Sequence, residues 1–125
     1  MAKRVLVIDD EKDMRVYLKT LLAKAGFETE TAENGDEGLK KAMAAPPDLI
    51  TLDVLMPKKS GVRAYGELRS AGKTSQVPIV ILTGLAQRED FFGDELGDVP
   101  RPDAVIEKPI DRESFLGLVR KLTGG

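Results

Sequence analysis

The run Leu49-Ile50-Thr51-Leu52 is short, apolar and rich in β-branched side chains, and it ends on a carboxylate, Asp53. That length and composition suit a strand buried on both faces, as the strands of a parallel sheet are. Met56-Pro57 and then Gly61 force a loop directly afterwards. Val5-Leu6-Val7-Ile8 has the same form and stops at Asp9-Asp10. Val77-Pro78-Ile79-Val80-Ile81-Leu82 stops at Thr83-Gly84, with its proline near the start, where a missing donor is tolerated. Ala104-Val105-Ile106-Glu107 ends at Lys108-Pro109, and Phe27-Glu28-Thr29-Glu30-Thr31-Ala32 alternates like a strand nearer an edge, with one wetter face.

Between these runs the hydrophobic period changes to that of a helix. Residues 12–25 put Met14, Leu18, Leu21, Leu22 and Ala25 on one face, and Gly26 stops the helix. Asn34-Gly35 makes a turn into a second helix over 36–45, closed by Pro46-Pro47. A third covers 62–71, a fourth 87–96, and Asp111 caps a last helix with Phe115, Leu118, Val119 and Leu122 on one face. Five strands alternating with five helical segments predict an α/β fold: a five-stranded parallel sheet with helices on both faces, doubly wound. The 125 residues suit one core, so a single domain over 1–125 is expected, with no output domain.

In such a sheet the carboxyl ends of all strands share one edge, which is where open α/β folds bind ligands. Asp9, Asp10, Asp53, Thr83 and Lys108 are gathered there. Cysteine and histidine are both absent, which removes thiolate sites, disulfides and the usual general base. Chemistry must run on carboxylates, lysine, hydroxyls and backbone groups. The formal net charge is −2 with both signs interspersed, so no basic footprint for nucleic acid is present. No apolar run is long enough to span a bilayer, and the first residues lack a cleavage site, so a soluble cytoplasmic protein is expected.

Three converging carboxylates repel one another unless a cation neutralises them. With only oxygen donors available, Mg²⁺ or Mn²⁺ fits better than Zn²⁺. Lys108 adds a movable point charge and Thr83 a hydroxyl. A carboxylate, a divalent cation, an ammonium and a hydroxyl are what phosphoryl transfer to an aspartate requires. Taken singly, each residue has a plainer reading. Asp53 can end a strand, Asp10 reads best as the N-cap of the first helix, Thr83 as a strand-end residue, and Lys108-Pro109 as a solvated lysine before a turn.

Together, Asp9-Asp10, Asp53 with Met56-Pro57 and Gly61, Thr83, and Lys108-Pro109 resemble the receiver domain of two-component response regulators across essentially the whole chain. The resemblance implies the flavodoxin-like, CheY-like (βα)5 fold. It implies Asp53 as phospho-acceptor, a metal held by Asp9, Asp10, Asp53 and the main-chain carbonyl of Leu55, and Thr83 and Lys108 as the phosphate-sensing pair. The implied donor is the phosphohistidine of a histidine kinase or histidine phosphotransfer protein, which agrees with a chain that has no histidine of its own. Output is then expected through an unidentified downstream protein, with no direct contact to nucleic acid or membrane. Monomer and phosphorylation-dependent dimer both remain open, the dimer through residues 87–96, the fifth strand and the last helix.

Three departures from the family pattern stand out. Val105 occupies the switch position where receivers usually carry an aromatic ring, which puts the threonine–aromatic coupling in doubt. The segment between Thr83 and Lys108 holds Gly93, Gly97, Pro100 and Pro102, so the helix over 87–96 is expected to be short, with one of Phe91 and Phe92 a candidate anchor for a partner. Leu55 and Leu85 stand where the family's side chains influence attack by water, and neither can orient one, so a long-lived phosphoaspartate is expected. Val105 keeps open a pseudo-receiver that binds partners without phosphorylation. A phosphatase with an aspartyl-phosphate intermediate is disfavoured, because its nucleophile would follow the first strand and a cap would need more chain. A nucleotide-binding protein is disfavoured because no Gly-rich phosphate loop is present.

Overall fold

The computed structural model describes residues 2–53, 61–83 and 102–124, with the backbone alone at Gly61 and Val62. All five expected strands form: β1 (Arg4–Ile8), β2 (Glu28–Ala32), β3 (Leu49–Asp53), β4 (Ile79–Thr83) and β5 (Ala104–Glu107). They make one parallel sheet in the order β2-β1-β3-β4-β5. β3 and β4 are buried at every position, whereas β2, at one edge, alternates in and out. β4 starts at Ile79, two residues later than the apolar run, because Pro78 has no N–H to donate; its carbonyl still accepts from Ile50 N at 2.9 Å.

Four helices lie among the described residues: α1 (Lys12–Lys24), α2 (Gly35–Ala44), α3 (Gly61–Ser70) and α4 (Arg112–Thr123). The helix expected over 87–96, with Phe91 and Phe92, falls outside them, as do Leu55 and Leu85. α1 closes in a Schellman turn, with Phe27 N donating to Leu22 O at 3.0 Å and Gly26 N to Ala23 O at 3.1 Å. Gly26 sits at φ 95°, a conformation that L side chains rarely adopt. Asn34 proves to be the N-cap of α2 and not merely a turn residue: its Oδ1 accepts from Glu37 N at 2.9 Å.

The sheet separates two apolar layers, because even the continuous apolar strands send alternate side chains to opposite faces. Leu6, Ile8, Ile50, Leu52, Ile79 and Ile81 pack with Ala42, Ala64, Tyr65 and Leu68 of α2 and α3. Val5, Val7, Leu49, Val80 and Leu82 pack with Leu18 and Leu22 of α1 and with Phe115 and Val119 of α4. The expected helix faces hold: Met14, Ala25, Leu118 and Leu122 are half-buried on this second layer. Gly38 lets α2 lie close on β1, since a Cβ there would fall 2.4 Å from Ile8 Cδ1. The packing fixes where β1 ends, one residue before Asp9.

Candidate functional site

Register brings the strand ends together. Ile8 pairs with Leu52, so the next residues on the two strands, Asp9 and Asp53, are neighbours at the carboxyl edge. Asp53 pairs with Leu82, and Thr83 with Glu107, which carries the edge on to Lys108. Backbone bonds extend the pairing past the strands: Asp9 N donates to Ala32 O at 3.0 Å, and Lys108 N to Thr83 O at 2.8 Å. The Lys108–Pro109 peptide is cis.

Carboxylate oxygens of Asp9, Asp10 and Asp53 lie within 4.8 Å of one another. Asp9 and Thr83 are fully buried and Asp53 nearly so, whereas Asp10 is exposed. Lys108 Nζ stands 3.6 Å from Asp53 Oδ2 and 3.7 Å from Asp9 Oδ2. Among the described residues, one ammonium faces three carboxylates. Burial pushes the Asp9 carboxyl above its ordinary pKa; the Glu11 N–H and the Lys108 ammonium pull the other way, and the Glu11 and Asp10 carboxylates push it up further.

Asp10 is not the N-cap of α1. Glu11 holds that position without a side-chain cap bond, and Asp9 Oδ1 accepts the Glu11 N–H at 2.9 Å. The single-residue reading of Asp10 as a cap therefore gives way, and its carboxylate is left to the cluster. Asp9 is held twice more, through its own N–H and through its carbonyl, which accepts from Arg15 Nη1 at 2.7 Å. Sequence reasoning did not single out Arg15; its one signal is a place on the first turn of α1, six residues after Asp9.

A hard divalent cation suits this donor set. Asp9 Oδ2 is buried and makes no hydrogen bond, so one lone-pair direction in the cluster is left for a positive charge. The fourth expected ligand, the Leu55 carbonyl, lies outside the described residues. Val105 is half-buried against the layer under α2 and α3 and pairs with Ile81.

The sequence matches the family profile described as response regulator receiver domain over residues 5–120. The chain belongs to the response regulator receiver family. Receivers of this kind serve two-component signalling, and the relatives are regulators rather than classical enzymes. The chain is similar to the probable transcriptional regulator ycf27 of Cyanophora paradoxa, 37% identical over 96% of this chain and 48% of that one. Protein Rrf1 of Nitratidesulfovibrio vulgaris is 32% identical over 95% of this chain and 81% of its own length. The chemotaxis response regulator CheY4 of Vibrio cholerae superposes with a TM-score of 0.84 at 29% identity, over 98% of this chain and 99% of that one. The receiver spans about half the length of the transcriptional regulators it matches. Among the described residues no helix is long and apolar enough to cross a membrane.

Proposed function

We propose that Asp53 accepts a phosphoryl group from a phosphohistidine on a kinase or phosphotransfer protein, and that the modified receiver changes its affinity for a downstream protein. The observation that carries this reading is one ammonium within 3.7 Å of two of three clustered carboxylates at the mouth of a parallel sheet. An Asp53 oxygen attacks phosphorus in line; the O–P bond forms as the N–P bond breaks, and the departing imidazole nitrogen takes a proton from solvent. Lys108 pairs with a phosphoryl oxygen in place of Asp53, and the Thr83 hydroxyl donates to another. Asp9, Asp10, Asp53 and the Leu55 carbonyl would hold Mg²⁺ or Mn²⁺, which when bound neutralises the acids and the charge on the transferring group. Output passes through a protein partner and not through direct nucleic-acid contact, in keeping with the mixed surface charge.

Incubation with Mg²⁺ and acetyl phosphate, read by intact mass, tests the reading. A phosphate adduct on the wild type and none on Asp53→Asn is expected. An unmodified wild type with both acetyl phosphate and a phosphohistidine donor would favour the pseudo-receiver instead.

A further inference from the structure

Among the described residues, a dense polar junction outside the acceptor edge lies at the opposite end of the sheet. Arg69, in the last turn of α3, has a side chain only 6% exposed. Its guanidinium reaches four acceptors: Tyr65 Oη at 3.1 Å, the carbonyls of Ser75 at 3.1 Å and Val77 at 2.7 Å, and Asp103 Oδ2 at 2.7 Å. It also stands 5.3 Å from the centroid of the buried Tyr65 ring. Asp103 in turn accepts from Ile79 N at 2.8 Å and donates its own N–H to Ile79 O at 3.1 Å.

Three elements therefore meet on one cation: α3, the start of β4 and the start of β5. At their other ends, β4 and β5 deliver Thr83 and Lys108, and α3 begins eight residues after Asp53. β5 most needs such a tie. It has four residues, all half-buried, and pairs only with β4 among the described residues. From Asp103 to Lys108 is five residues, about 16 Å of extended chain. A strand fastened at Asp103 cannot slide, and the ammonium it carries keeps its place between Asp9 and Asp53.

We infer that the Arg69–Asp103 clasp is a positioning pair for Lys108: by fixing β5 along its length it sets how closely the ammonium neutralises the acidic cluster. Arg69 and Asp103 touch neither the cluster nor the phosphoryl group, so they act only through the strand. The inference deepens the acceptor-site reading and rests on it for the phosphorylation arm alone.

Mg²⁺ affinity and the rate of modification by acetyl phosphate would be measured for wild type, Asp103→Ala, Arg69→Met and Lys108→Ala, and for Asp103→Ala combined with Lys108→Ala. The ammonium competes with a metal cation for the same carboxylates. Loosening it in Asp103→Ala should tighten Mg²⁺ binding and slow phosphorylation, each by roughly three- to tenfold. In the Lys108→Ala background the Asp103 change should add nothing to Mg²⁺ affinity. Asp103→Asn keeps an acceptor for Ile79 and should lie between wild type and Asp103→Ala; it also serves if Arg69→Met fails to fold. Leu21→Ala, a destabilised control on α1, should leave Mg²⁺ affinity unchanged.

Equal shifts with and without Lys108, no shift in Asp103→Ala, or the same shift in Leu21→Ala would each overturn the clasp as a positioning device. A wild type that binds Mg²⁺ with the expected coupling but resists every phosphodonor would refute the acceptor reading and uphold the clasp.

Discussion

Thr51 lies at the centre of the sheet, fully buried, and its Oγ1 has no hydrogen-bond partner. Its register neighbours are Val7 on β1 and Val80 on β4, both in the layer beneath α1 and α4. Replacing Thr51 by Val completes a row of three valines and keeps the β-branched shape. An unpaired buried hydroxyl costs roughly 1–3 kcal/mol, and the methyl that replaces it adds about 0.8 kcal/mol of apolar burial. Allowing for imperfect fit, Thr51→Val should gain about 1–2 kcal/mol, or roughly 4–8 °C in melting temperature for a domain of this size. The check is urea unfolding followed by circular dichroism in metal-free buffer, where the midpoint should rise at constant slope. Thr29 provides an internal comparison: its hydroxyl is also unpaired, but the residue is only half-buried on the edge strand β2, so Thr29→Val should gain less. A Thr51→Val protein no more stable than wild type would show that the hydroxyl is satisfied in solution and refute the reasoning.

Other consequences are as direct. The Asp9 carboxyl has its pKa raised by burial, so the folded state holds that proton more tightly than the unfolded chain does. Wild-type stability in EDTA should therefore increase, relative to Asp9→Asn, as pH falls from 7 towards the ordinary carboxylate value of 3.8, and unfolding midpoints of the two proteins should converge there. Gly38→Ala places a Cβ against Ile8 and should cost about 1–3 kcal/mol by overpacking, part of it recovered by Ile8→Val in a double-mutant cycle. Asn34→Ala removes the α2 cap and should lower stability by about 1 kcal/mol, whereas Asn34→Gly should lose only a few tenths. Finally, Leu55 and Leu85 cannot hydrogen-bond an attacking water, so the Asp53 adduct should outlast a seconds-scale half-life when its decay is followed by mass spectrometry.

What the sequence made legible was set by period and by strand ends. Apolar runs such as Val5-Leu6-Val7-Ile8 become strands because only a two-faced buried sheet can use them, and whatever residue ends a parallel strand must lie on the common edge. Asp9, Asp53, Thr83 and Lys108 could therefore be gathered by counting alone. Counting failed where a residue one place away does the same local work. The amide of Glu11 is bonded by Asp9 and not by Asp10, because α1 begins one residue later than a cap at Asp10 requires.

The forces that hold the gathered residues were hidden for a different reason. Arg15 and Arg69 lie on helices, where charged side chains ordinarily face solvent, and no periodicity marks one that turns inward. Arg69 meets Asp103 across 34 residues of chain, and neither end of that pair has a local pattern. Such charge-assisted bonds depend on which strand neighbours which, so they become visible only once the order β2-β1-β3-β4-β5 is known. That order also explains why one cation is so placed. β5 closes the sheet from its edge, has a partner strand on one side only among the described residues, and still must present Lys108 to acids at the ends of β3 and β1, two and three strands away. Asp103, directly before the first residue of β5, is where a bond to Arg69 adds to the ladder with β4 in restraining an edge strand that reaches that far inward.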